Sequence, residues 1–299
     1  MPHRSRQRPV GSRVRTQLTS RLTRSFSECV ERMEVQLPTS GKGLLIGLLA
    51  PLLLLPASAI STEGRTVAAL RTRSQVVIGS DSLISTIGPN GAQPKLGCKI
   101  APIKAGFVAM SGIFADSRGF NAYQVAKDAA LRGGTLSEIA NRFERLARPS
   151  FSRMMRGLRI EDPREFLRYC EGRQCLEAAF VGSDPAIPLS LSVRGFWAKA
   201  FGQDLDIKPA KHVDCPGDCS NETEQVFLGD HEEATRLLDQ TPHFWKVKGV
   251  TLGMKELLQA EISSHPEDAA APITILVVDE DGPRWEPGYR GLCPETDSH

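Results

Sequence analysis

The 299-residue chain carries 37 Lys and Arg against 35 Asp and Glu, a formal net charge of +2, with 40% hydrophobic and 24% charged residues. This balance excludes wholesale disorder, and the length allows one large domain or two small ones with a sizeable core. No apolar run is long enough for a multi-span membrane protein.

The charge is unevenly placed. Residues 1–59 hold nine basic side chains and three acidic ones, which leaves 28 basic and 32 acidic from residue 60 onward, a balance of −4. Lys42 precedes the apolar run 43–55, followed by Pro56 and Ala57-Ser58-Ala59. A basic start, a short apolar stretch and a small-x-small site form a secretory signal. The segment 1–59 is therefore expected to be a basic leader and signal peptide, and the protein periplasmic or secreted. An uncleaved N-terminal anchor is the alternative; without it no stable membrane span is expected. Met33 offers a second start that would shorten the leader to an ordinary length. No positive surplus follows, so no nucleic-acid partner is expected.

The remainder, 60–299, reads as one domain. Runs at 66–71 and 75–81 are β-rich and separated by Thr72-Arg73-Ser74, predicting a hairpin. A second hairpin is predicted from 99–103 and 106–111. Helical periodicity follows over 116–131. Thr135-Leu136-Ser137-Glu138 is a capping box ahead of Leu136, Ile139, Phe143 and Leu146. Strand character returns at 175–182 and 188–194. The Pro-, Asp- and Cys-rich stretch 203–225 lacks periodicity and is expected to be an inserted loop. Asp230 is expected to cap a short helix, and 251–263 gives another, with Leu252, Leu258 and Ile262 apolar. Residues 272–279 form a fully apolar closing strand before a Glu280-Asp281-Gly282 turn. Together these elements predict an α+β layered domain.

Six cysteines follow the leader: Cys98, Cys170, Cys175, Cys215, Cys219 and Cys293. An even number fits disulfides in an oxidising compartment, with fifteen pairings open to six cysteines. Cys170/Cys175 and Cys215/Cys219 read as local staples. The C-x4-C and C-x3-C spacings argue against a four-Cys zinc site. His212, His231, His243 and His265 are scattered, without an H-E-x-x-H pair, and Gly-rich phosphate loops are missing. No metal and no cofactor are expected.

Several motifs together resemble a known family. The stretch 64–71 followed by Val76-Val77-Ile78-Gly79-Ser80-Asp81-Ser82 is similar to the opening of proteasome β-type subunits and their bacterial relatives, N-terminal-nucleophile hydrolases. Cys98-Lys99-Ile100, the segment 110–116, Phe227-Leu228-Gly229-Asp230 and the closing strand follow in that family's order. The resemblance implies a four-layer αββα sandwich over 60–299, the 203–225 stretch being an insert. It further implies a threonine-type peptidase or amidohydrolase acting on a peptide or small amide, and a homo-oligomer. By position, Asp81 resembles the acid that orients a lysine, Lys99 that lysine, and Gly112 the oxyanion-hole residue. Thr66 takes the nucleophile position if one residue is deleted in the hairpin and the chain is cut after Arg65. Without a gap, Arg65 stands there, and arginine stays protonated. An inactive family member acting as a binding or assembly module is therefore the alternative.

Overall fold

Small and β-branched residues write most of the secondary structure. The computed structural model describes residues 59–295 apart from 64–65, 89–90, 171–172, 184–188, 202–203 and 220–222. The signal segment, Met33, Gly64 and Arg65 lie outside the described residues. The strands β1 (Ile60–Glu63), β2 (Val67–Arg71), β3 (Gln75–Ser80), β4 (Leu83–Gly88), β5 (Gly91–Leu96), β6 (Ile100–Ile103) and β7 (Gly106–Asp116) come first. Helices α1 (Ala122–Leu131), α2 (Leu136–Glu161) and α3 (Pro163–Cys170) follow, then β8 (Leu176–Gly182), β9 (Ser190–Phe201), β10 (Asp204–Cys215) and β11 (Glu224–Leu228). The chain ends with α4 (Glu232–Gln240), α5 (Phe244–Lys248), α6 (Val250–Ser264), β12 (Thr274–Asp279) and β13 (Gly282–Trp285).

The strands form an eight-stranded sheet, ordered β10-β9-β8-β7-β1-β4-β5 with β6 beside β7, and a five-stranded sheet, β11-β2-β3-β12-β13. The named pairings are antiparallel. This corrects the four-layer αββα expectation: the fold is a sheet-rich α+β fold of mostly antiparallel strands with few helices. Segments expected to be irregular turn out to be strands. The largest is 203–225, where β10 forms a long hairpin with β9. Its buried Leu205 and Ile207 keep a two-residue alternation among charged neighbours, and a register shift between Pro209 and His212 accommodates the proline. Strands β4 and β5 also escaped the reading, β5 because all six of its residues are exposed.

Three apolar clusters hold these elements. Val67, Ala69, Val76 and Ile78 of the β2–β3 hairpin meet Ile100, Phe107, Ala109, Ala179 and Val181 from the larger sheet. Phe143 and Phe151 of α2 pack on Phe180 and Phe196 of β8 and β9. On the smaller sheet, Met254, Leu257 and Leu258 of α6 cover Val77, Ile275 and Val277. Gly79 permits that last contact, since a Cβ there would stand 2.8 Å from Leu258 Cδ1 and Met254 Cγ. Leu252, expected on the apolar face of α6, is 59% exposed. The capping box forms as read: Thr135 Oγ1 accepts from Glu138 N and Glu138 Oε2 accepts from Thr135 N. Asp230 does not cap α4; His231 is its N-cap, and its Nδ1 contacts Gly229 O instead of a helix N–H.

Cys98–Cys293, Cys170–Cys175 and Cys215–Cys219 are paired, with Cα atoms 4.8, 4.7 and 5.1 Å apart, inside the usual range for a bridge. Among the described residues no helix is long and apolar enough to cross a membrane.

An ion pair with one fully buried partner links β9 and β10. Arg194 on β9 is fully buried; its Nη2 donates to both carboxylate oxygens of Asp214 and to Asn141 Oδ1. Burial opposes ionisation of Asp214, yet hydrogen bonds from Arg194, Ser192 and Ser137 and the Arg194 charge outweigh it, holding the carboxyl below its usual range. A depressed carboxyl stabilises the fold above its unfolded value, about 3.9, and that contribution disappears as pH falls through the lower folded value. Urea unfolding from pH 5 to pH 2 will therefore show an acid-limb loss in the native protein that is smaller in Asp214→Asn. An equal loss in both would contradict this assignment.

Candidate functional site

A polar stratum closes the apolar layer between the sheets at one end. The β2–β3 ladder ends with Val67 opposite Ser80, and Thr66 and Asp81 are the residues directly beyond it, one on each side. Across the gap, Lys99 immediately precedes β6. Lys99 Nζ stands 2.5 Å from Asp81 Oδ1, and the two side chains are 0% and 1% exposed. Asp81 Oδ2 accepts from Leu83 N at 2.9 Å and from Ala270 N at 3.2 Å. Tyr123 Oη donates to Lys99 O at 2.6 Å, while the Cys98–Cys293 bridge fastens the residue before it. The lysine is thus fixed at its backbone from two sides and at its ammonium by one carboxylate.

Thr66 is fully buried, and its Oγ1 donates to Asp230 O at 3.0 Å. The Asp230 carboxylate pairs with Arg173 Nη1 at 2.8 Å. Gly229 N, one residue earlier, donates to Glu177 Oε2 at 2.6 Å. Glu177 is 5% exposed and faces Ser111 across the β7–β8 ladder. Ser80 lies between Val67 and Thr274 in the smaller sheet, and its buried hydroxyl has no hydrogen-bond partner among the described residues.

Gly112 lies on β7 with φ +91°, where L side chains are strained, and a Cβ there would stand 2.3 Å from Cys175 O. Its partners across the sheet are Leu176 on β8 and Glu63 on β1. Strand β1 therefore runs beside Gly112, with Glu63 as its last residue before Gly64, Arg65 and Thr66 in the sequence. It is paired on both sides, with β4 and with β7. Thr62 also bonds the Tyr169 phenol; burial pushes that phenol up and this bond opposes the shift.

Asp81 and Lys99 are brought together directly. Thr66 lies one residue beyond the end of the β2–β3 ladder, with its hydroxyl bonded to Asp230 O and not to the pair, and Gly112 pairs with Glu63 of β1. Sequence reasoning missed Glu177 and the Asp230 carbonyl. An acid inside the otherwise apolar run Leu176–Gly182 was the available signal for Glu177; nothing local marks a backbone carbonyl.

Comparisons with known proteins add little. No family model matches the chain, and no curated protein matches its sequence. Among solved structures it is similar to Anbu (ancestral beta-subunit) from Yersinia bercovieri, at 12% identity over 74% of this chain and 86% of that one, with a TM-score of 0.45. It is also similar to the Anbu complex from Pseudomonas aeruginosa, described as a helical assembly, at 12% identity over 74% and 85%, with a TM-score of 0.41. Likeness at this distance carries no argument. Membership of the proteasome β-type family, expected from the motifs, is accordingly withdrawn.

The buried pair makes its own prediction. Removing one partner of such a pair leaves an uncompensated charge or an unpaired polar group, at a cost of about 3–5 kcal/mol. Lys99→Met and Asp81→Asn are each expected to lose stability on that scale in chemical denaturation. The double variant should lose clearly less than the sum. Additive losses would contradict direct coupling.

Proposed function

We propose that this protein is an exported amide hydrolase whose nucleophile is Thr66, made the first residue by a cut after Arg65. The observation that carries this reading is the solvent-excluded Lys99–Asp81 pair at the end of the β2–β3 ladder, where Asp81 and Thr66 each lie one residue beyond the Val67–Ser80 pairing. An α-amine titrates near 8, so the amine of a freed Thr66 accepts a proton at neutral pH where an ordinary lysine does not. Lys99 is the electrostatic partner in this reading, favouring the developing alkoxide at Oγ1. Asp81 holds that ammonium in place. The Thr66 oxygen adds to the amide carbonyl, and the Gly112 backbone N–H receives the oxyanion. The C–N bond then breaks, with the amine proton passing to the leaving nitrogen. Water completes the cycle by hydrolysing the Thr66 ester, which returns the hydroxyl and releases the acid.

The substrate class follows from β1. It fills a slot one strand wide between β4 and β7, hydrogen-bonded along both edges. Once the segment before Thr66 is removed, an extended peptide fits that slot by strand addition, with its main chain running past Gly112. Three bridged cysteine pairs support an oxidising compartment, the periplasm or the exterior.

A second reading has its own observation. Thr66 is buried with its hydroxyl committed to Asp230 O, and β1 is built into the sheet. An uncut protein with that geometry is a binding module in which Lys99–Asp81 is structural. Intact mass and N-terminal sequencing of the secreted protein separate the two. The hydrolase reading predicts a chain starting at Thr66, and hydrolysis of a peptide amide that falls roughly 10³-fold or more in Thr66→Ala. A chain that begins at or before Ile60, with any hydrolysis unchanged in Thr66→Ala, would exclude it.

A further inference from the structure

The turn between α1 and α2, remote in sequence from Thr66, opens on a cavity of about 490 Å3. Three guanidinium groups line it: Arg132, Arg142 and Arg145. Arg142 is anchored, its Nη1 donating to Ala129 O and Gly133 O. Arg132 and Arg145 have neither a carboxylate nor a hydrogen-bond partner among the described residues. Asn141 also lines the cavity. Its Oδ1 is taken by Nε and Nη2 of the buried Arg194, which leaves the amide N–H groups for the cavity. The one carboxylate in the lining, Glu138, already accepts the Thr135 N–H of the capping box.

We propose that this cavity binds a small oligoanion bearing two phosphate-type groups. The lining offers three cationic forks and an amide donor against a single, engaged carboxylate, a surplus of two positive charges. Arginine forks match phosphate-type oxygens in a bidentate manner, which a point charge does not. Arg142 and Arg145, three residues apart on α2, share one helix face, and Arg132 approaches from the end of α1. The volume exceeds the need of a single inorganic phosphate, so a linked pair of such groups uses the lining more fully. This site does not depend on the hydrolase reading, and no residue in it belongs to the polar stratum around Lys99.

Calorimetric titration of the intact protein with pyrophosphate tests the proposal, with inorganic phosphate and citrate as comparison arms. Pyrophosphate is expected to bind more tightly than phosphate or citrate. Arg132→Ala/Arg145→Ala should weaken it at least tenfold, about 1.4 kcal/mol, at unchanged melting temperature. Arg132→Lys/Arg145→Lys, which keeps charge without the fork, should recover only part of the affinity. Arg153→Ala/Arg156→Ala, on exposed positions of the same helix outside the cavity, should bind as the native protein does. Absence of pyrophosphate binding, or equal weakening in the two alanine double variants, would overturn it. Tighter citrate than pyrophosphate binding would overturn the phosphate-type assignment.

Discussion

The fold converges on one interaction, the buried contact between the Lys99 ammonium and the Asp81 carboxylate. Each charge alone would be strongly disfavoured in a water-free interior, so each requires the other. The pair also joins the two sheets, since Asp81 directly follows β3 of the smaller one and Lys99 precedes β6 beside β7 of the larger. The second Asp81 oxygen draws in the backbone of Leu83 and Ala270, so the start of β4 and the approach to β12 depend on the same carboxylate. The contact that fixes the sheet ends stands just beyond the β2–β3 ladder, as Thr66 does before the neighbouring strand.

What surrounds the pair gives it direction. The Thr66 hydroxyl is held by the Gly229–Asp230 turn, which is pinned in turn by Glu177 and Arg173. The Cys98–Cys293 bridge fastens the lysine's own segment to the C-terminal region. Strand β1 then connects the larger sheet to Thr66 in the smaller one across only Gly64 and Arg65. In the uncut chain β1 is hydrogen-bonded to β4 on one side and to β7 on the other.

The sequence makes some of this readable and hides the rest for identifiable reasons. The β2–β3 hairpin, the Thr135 capping box and the closing strand announce themselves through local periodicity and local hydrogen bonding. Asp81 and Lys99 stand together in the motif order and meet in the fold as an ion pair. Strand β5 is exposed throughout, β1 is short and polar, and β10 carries Pro209, so none shows an apolar alternation strong enough to find it. The Arg194–Asp214 pair joins neighbouring strands, but with 203–225 read as a loop its partner had no strand to sit on. The arginine cavity needs two helices brought together by a turn, which composition alone does not show. The layered sandwich expected from motif order failed because it took segments that fold as strands for loops.

The central claim is that Thr66, its freed amine and the Lys99–Asp81 pair act as one reactive unit. A β-lactone acylating reagent tests this most directly, because ring opening by Oγ1 leaves an ester that peptide mapping by mass spectrometry locates. The account predicts a single acyl adduct on Thr66 as the first residue of the chain, and none in Lys99→Met. Absence of an adduct on the native protein, or the same adduct in Lys99→Met, would contradict it.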